Sequence, residues 1–191
     1  MLKDVLIKCF TLAGREDIVS KLGACSEIFD LTDTGTINEI NSLINHYNFV
    51  THSTFEHYLE LEKRELIQSN EKAEIVYSSL SETPVLIKNV ENENSRTVRA
   101  MIKTNCIIVP KPNCFYYVVY NAIPKEAKSL SDDTSYLSRL TEKIVILGTV
   151  SQYLACKGKL IESEYFEKKF FEEAFKIKSK KERRIKSTFC L

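Results

Sequence analysis

The stretch LSRLTEKIVILGTVSQYLACKGKLIESEYFEKKFFEEAFKI, Leu137–Ile177, decides the fold. Its first part carries Leu137, Leu140, Ile144, Val145, Leu147, Gly148, Ser151, Leu154 and Ala155 at three- and four-residue spacing, which gathers them on one broad helical face. Gly158, flanked by Lys157 and Lys159, has the place of a left-handed residue just past a helix C-terminus. The second part repeats the period with Phe166, Phe170, Phe171, Ala174, Phe175 and Ile177. A connection this short turns the second helix back along the first. Every residue type in the hairpin is a packing type, none a catalytic one.

Upstream, residues 2–13 form the first expected helix, with Leu2, Val5, Leu6, Cys9, Phe10 and Ala13 on one face. A short helical turn, Glu16–Leu22, follows. Thr36 and Glu39 are spaced as a capping box and predict a helix start at Thr36, with Ile37, Ile40, Leu43, Ile44 and Tyr47 along its face. Near His57–Tyr58 the period changes to two. From there short apolar runs alternate with turn residues: Glu74–Tyr77, Val85–Val90, Thr97–Ile102, Cys106–Val109 and Phe115–Tyr120, ending at Pro124. Residues 125–135 have the composition of an exposed linker. The expected fold class is α+β, an antiparallel helical bundle with a small antiparallel β module inserted into it. Residues 1–58 and 135–178 make the bundle, 59–124 the module, and 179–191 a basic C-terminal tail.

At 191 residues, with 43% hydrophobic and 28% charged residues, the chain has the makings of one globular core, and no apolar run approaches the ~18 residues of a membrane span. The start, Met-Leu-Lys-Asp-Val, enters an amphipathic pattern at once, so neither a secretory signal nor a membrane partner is expected. The six cysteines lack C-x-x-C pairing and are expected to be reduced thiols. A net charge of +1 conceals an asymmetry: Lys176–Lys186 holds seven bases against Glu182, a local +6, which leaves −5 for the remainder.

Motifs of phosphate cradles, nucleophile elbows and zinc proteases are absent, and no nucleophile has an identifiable base. His46, His52 and His57, at spacings of six and five, do not share a helical face as metal ligands would. Asp132-Asp133 reads as a turn or helix-start device. No enzyme activity, cofactor, metal or catalytic residue is expected. Two features remain open. The strand Phe115–Tyr120 is either a half-buried β strand or a base-stacking platform. The basic tail is a solvated extension, a segment that orders on a partner, or a nucleic-acid contact.

The order of parts resembles the head-to-tail connector, or neck adaptor, proteins of tailed bacteriophages. The resemblance rests on Leu12-Ala13-Gly14-Arg15-Glu16-Asp17 after a first helix, on the sheet exit Val118-Val119-Tyr120-Asn121-Ala122-Ile123-Pro124, and on Gly148 to Gly158 before an aromatic-rich helix with Tyr165, Phe166 and Phe170. It implies a virion structural protein at the head–tail junction, assembled in the host bacterial cytoplasm. Its partners would be further copies in a homo-oligomeric ring, a dodecamer in that family, the portal protein and the next tail or neck component. The docking segment would be Lys178, Lys180, Lys181, Arg183, Arg184, Lys186, Phe189 and Leu191, whose cationic density also allows contact with packaged DNA in the channel. Ring closure needs two unlike complementary faces. Tyr153, Phe171 and Phe175 are candidates for that interface, each also readable as core. The alternative is a non-enzymatic nucleic-acid-binding accessory protein that uses the basic tail with Tyr116, Tyr117 and Tyr120.

Overall fold

The structure, a computed structural model, describes the backbone of residues 1–188 and the side chains of residues 1–177. It is mixed α+β, with five α-helices and two three-stranded antiparallel sheets among the described residues. The chain folds as two units: Met1–Leu59 together with the chain from Glu126 onward, and Glu60–Lys125.

The first unit is helical. It contains α1 (Leu2–Leu12), α2 (Glu16–Ala24), α3 (Thr34–His57), α4 (Arg139–Cys156) and α5 (Leu160–Thr188). α4 touches α5, α3 and α1, and every residue from Ile144 to Ser151 is buried. A helix with neighbours on three sides needs apolar or small groups all round rather than one stripe. α1 contributes Leu2, Val5, Leu6, Cys9 and Phe10 to the same core, and α3 contributes Ile40, Leu43, Ile44 and Tyr47.

The α4–α5 turn is a Schellman motif. Gly158 stands at φ +74°, its N–H donates to Ala155 O (3.0 Å), and Lys159 N–H donates to Leu154 O (3.0 Å). Beyond it α5 is less buried than its sequence pattern suggested. Among its described side chains only Ser163 and Ala174 are fully covered, Phe166 and Phe170 are half-buried, and Phe171 and Phe175 are exposed. Leu140 is likewise 45% exposed rather than inside.

Two further expectations are corrected. α3 is capped three residues earlier than the Thr36–Glu39 box predicts. Asp33 is the N-cap, accepting from Gly35 N–H (3.1 Å) and from the Thr36 hydroxyl (2.6 Å), which frees Glu39 for another role. Residues 125–135 are no exposed linker either, since Ala127 and Leu130 are buried. The Asn48 side chain donates to Ala127 O and accepts from Ala127 N–H, each at 2.8 Å. Leu130 O and Asp132 O accept from Lys3 N–H and Leu2 N–H, two of the donors that the first turn of α1 leaves unpaired. Asp132 acts as a turn device, its carboxylate accepting from Lys128 and Ser129 N–H.

In the second unit, β1 (Leu61–Gln68), β6 (Phe115–Ile123) and β3 (Thr83–Asn92) form one sheet in the order β1-β6-β3. β2 (Glu74–Val76), β5 (Cys106–Ile108) and β4 (Met101–Ile102) form the other in the order β2-β5-β4. β1 and β6 run in register from Leu61 opposite Ala122 to Gln68 opposite Phe115. Alternate β6 residues, Tyr116, Val118, Tyr120 and Ala122, therefore share one face, and they pack with Ile87 and Val90 of β3 and with Ile75 and Ile107 of the second sheet. The strand expected over Thr97–Ile102 shrinks to Met101–Ile102 plus a single bridge from Thr97 to Glu91.

Candidate functional site

Most of the exposed large apolar groups described in the helical unit gather in two places, and neither resembles a reaction centre. The first is aromatic. Tyr58, at the C-cap of α3, meets Phe170, Phe171 and Phe175 edge-on, with ring centroids 6.0, 6.5 and 5.8 Å away. Phe171 and Phe175, one turn apart on α5, stack at 6.1 Å. They stay 37% and 54% exposed, and Phe49 of α3 is exposed beside a cleft of about 150 Å³ between these groups. Leu160, Ile161 and Tyr165 prolong the apolar surface along the outer side of α5.

The second is a groove of about 800 Å³ between α1 and α4. Ile7 and Leu12 form one wall, and Leu140, Ile146 and Leu147 the other. Leu12 is 48% exposed. Lys8, Arg139 and Lys143 stand around it with Glu142, which is paired with Lys8. This groove escaped the sequence reading, although a signal was present: Ile7, Leu12 and Ile146 are apolar residues off the main stripes of their helices. Surplus apolar positions of that kind mark a second face.

Tyr153 is corrected as an interface candidate. It is only 1% exposed, with its ring edge-on to Phe10 at 5.7 Å. Its hydroxyl donates to Glu39 Oε2 (2.8 Å) and accepts from Arg15 Nη1 (3.0 Å), while Lys157 Nζ donates to Glu39 Oε1 (2.6 Å). Arg15 also holds Asp17 through two hydrogen bonds, of 2.9 and 2.8 Å. Burial, reinforced by the Glu39 carboxylate, pushes the Tyr153 hydroxyl up to about 12. Partial burial opposes ionisation of Glu39, but the hydrogen bonds from Lys157 and Tyr153 outweigh it and hold the carboxyl below its ordinary range. The cluster ties the α1–α2 turn, α3 and α4 together, with each polar group already engaged by another, so it acts as a structural lock.

α5 places the basic segment. Ser151 bonds Ser163, Gly148 lies against Phe170, and Lys143 pairs with Glu173 at 3.0 Å. As the α4 number falls the α5 number rises, so the helices are antiparallel and Arg139, the first residue of α4, comes level with about Ile177. α5 nevertheless continues to Thr188. The expected separate tail from residue 179 is thus, through Thr188, a continuation of the same helix, running roughly 16 Å beyond α4 at 1.5 Å per residue. The side chains of Lys178, Lys180, Lys181, Arg183, Arg184 and Lys186 lie outside the described residues, as do Phe189 and Leu191 altogether.

Two tyrosines of the aromatic strand are closed to base stacking. Tyr116 and Tyr120 are buried in the sheet core, with the Tyr120 hydroxyl bonded to Glu65 (2.5 Å), and Tyr117 lies under the Arg64 guanidinium, 3.6 Å from the ring centroid. His52 and His57 stand beside Glu56 at 3.7 and 3.6 Å. Burial, with Lys157 nearby, keeps His46 below its ordinary pKa. Among the described residues no group of three or more His, Cys, Asp or Glu is placed to hold a metal ion, and no helix is long and apolar enough to cross a membrane. No protein-family model matches the chain, and no curated protein matches it.

Proposed function

We propose that the protein is a non-enzymatic structural component of a tailed-bacteriophage particle, forming a ring adaptor between portal and tail. In this reading the helical unit is an antiparallel bundle carrying the β module as an insertion, and the mechanism is interfacial. The observation that carries it is the projection of α5 past the start of α4. A packed two-helix stem leads without interruption into a segment of seven bases and one acid, Lys176–Lys186. A rigid stem that continues into a cationic helix suits docking into a neighbouring assembly, because the ordering cost of the backbone has been met before binding. The aromatic surface of Phe171 and Phe175 supplies a candidate contact between copies.

The test is truncation after Ile177. The shortened protein is expected to keep the helical content of residues 1–177 and its thermal transition while losing assembly onto the portal. Retained portal binding by the truncated protein would refute the docking role. The nucleic-acid reading predicts instead that the same truncation abolishes a DNA affinity falling steeply with salt. The burial of Tyr116 and Tyr120 leaves that reading with the basic segment and, on the strand, Tyr117 under Arg64.

A further inference from the structure

We infer that the cleft between α3, α4 and α5 is a binding site for an organic cation, a quaternary ammonium or guanidinium head on a short stem. Its walls are aromatic rings. Tyr58, Phe170 and Phe171 line it together with Phe49. The first three stand steeply to one another, at 88° for Tyr58–Phe170, 69° for Tyr58–Phe171 and 68° for Phe170–Phe171. Their centroids are 6.0, 6.5 and 5.2 Å apart in the same order. Three planes so disposed make the corner of a box, and Phe49 adds a further ring beside it. Ring faces carry the negative part of the quadrupole and attract cations. The volume, about 150 Å³, is that of a cavity able to hold a benzene-sized guest, so a head of about five non-hydrogen atoms fits. Edge-on contact among the rings fixes the walls before any guest arrives, which spares binding that ordering cost.

Charge selects the guest. Glu167 is the charged residue on the wall of the cleft, exposed and without an ion pair among the described residues. Phe49 and Ser53 also border a second depression, of about 500 Å³, whose acids are Glu56 and Glu126. His52 and His57 stand there as well, each beside Glu56, at 3.7 and 3.6 Å. Neither depression is lined by a lysine or an arginine among the described residues. Glu167 and Glu126 are therefore open to a cation from outside, and an anion is repelled. The chain's own bases from Lys178 onward do not supply it, because α5 continues as a helix to Thr188 and carries them along its axis away from Phe171. A basic segment seated in the cleft belongs to another molecule. The site does not depend on the protein's being a ring adaptor.

Choline and its uncharged carbon isostere, 3,3-dimethylbutan-1-ol, separate charge from shape. Titrated into the full chain, choline is expected to bind with a Kd of about 1 mM or tighter. Its methyl proton resonance should move upfield, as protons held over ring faces do. The isostere is expected to bind about tenfold more weakly. Phe49→Leu and Glu167→Gln lie at exposed positions, so both variants should keep the wild-type circular dichroism spectrum. Each should weaken choline about threefold or more. A synthetic peptide of residues 176–191 then tells the source of the cation. Choline binding that the peptide displaces assigns the cleft to a basic segment of a neighbouring molecule, and choline binding that it does not displace assigns the cleft to a free small cation. Equal binding of the isostere, or affinities unchanged in both variants, overturns the inference. So does the absence of any choline shift at about 50 mM together with no binding of the peptide at about 1 mM. Loss of portal binding with choline binding intact would overturn the adaptor reading alone.

Discussion

Gly148→Ala probes a point where three helices of the helical unit meet. A Cβ at Gly148 on α4 would stand 2.7 Å from Val50 Cγ1 on α3 and 3.0 Å from Phe170 Cδ2 on α5. Carbon atoms in good contact sit about 3.5–4.0 Å apart. The new methyl therefore overlaps Val50 by roughly 1 Å, and neither neighbour withdraws without disturbing its own helix. Overpacking of this kind costs about 1–3 kcal/mol. Replacing glycine by alanine within a helix returns about 1 kcal/mol. The net expectation is a destabilisation of about 1 kcal/mol, or roughly 2–4 °C in melting temperature for a chain of this size. Urea unfolding followed by circular dichroism at 222 nm reads the helical unit preferentially. Repeating the substitution in a Val50→Ala background removes the closest clash, so the cost of Gly148→Ala should shrink by about 1 kcal/mol there. If Gly148→Ala instead stabilises the wild type by about 1 kcal/mol, the helices do not approach as described.

Gly158→Ala places a side chain at φ +74°, with no atom within 4 Å to obstruct it, so the strain is purely in the backbone; we expect a loss of about 1–2 kcal/mol in the same unfolding assay. Tyr153→Phe leaves Arg15 and Glu39 without the hydroxyl between them and should cost about 1–3 kcal/mol, yet self-association at a permissive temperature should be unchanged because the ring is buried. Glu39→Gln should show a pH signature. A depressed carboxyl adds stability that is complete above its unfolded pKa, ordinarily 4.5, and is lost as pH falls through its lower folded value. Wild type should therefore exceed Glu39→Gln in stability at pH 7 and converge toward it below about pH 4, and a gap unchanged with pH would contradict the role given to Glu39.

Patterns of local origin were legible in the sequence. The three- and four-residue spacing in Leu137–Ala155, the glycine at 158 and the change of period after His57 each reflect constraints within one element, and each marks a real element or boundary. Features that depend on distant partners were not. Residues 125–135 have loop composition, yet Asn48 and the first turn of α1 bind their backbone and bury Leu130, which no local pattern encodes. Thr36 and Glu39 have capping-box spacing, but Asp33 wins the N-cap and Glu39 finds Tyr153 and Lys157 more than a hundred residues away. An aromatic helix such as α5 gives its period readily, while the side of it that stays uncovered depends on how many helices surround it. That is why Tyr153 reads like Phe171 in sequence and differs so completely in exposure.

The most direct measurement mixes the purified full-length chain with the portal protein encoded in the same genome and images the sedimented complexes by electron microscopy. The account predicts a ring of this protein seated coaxially on one face of the portal. Portal rings that remain bare at saturating protein, while the chain is folded by circular dichroism, would contradict it.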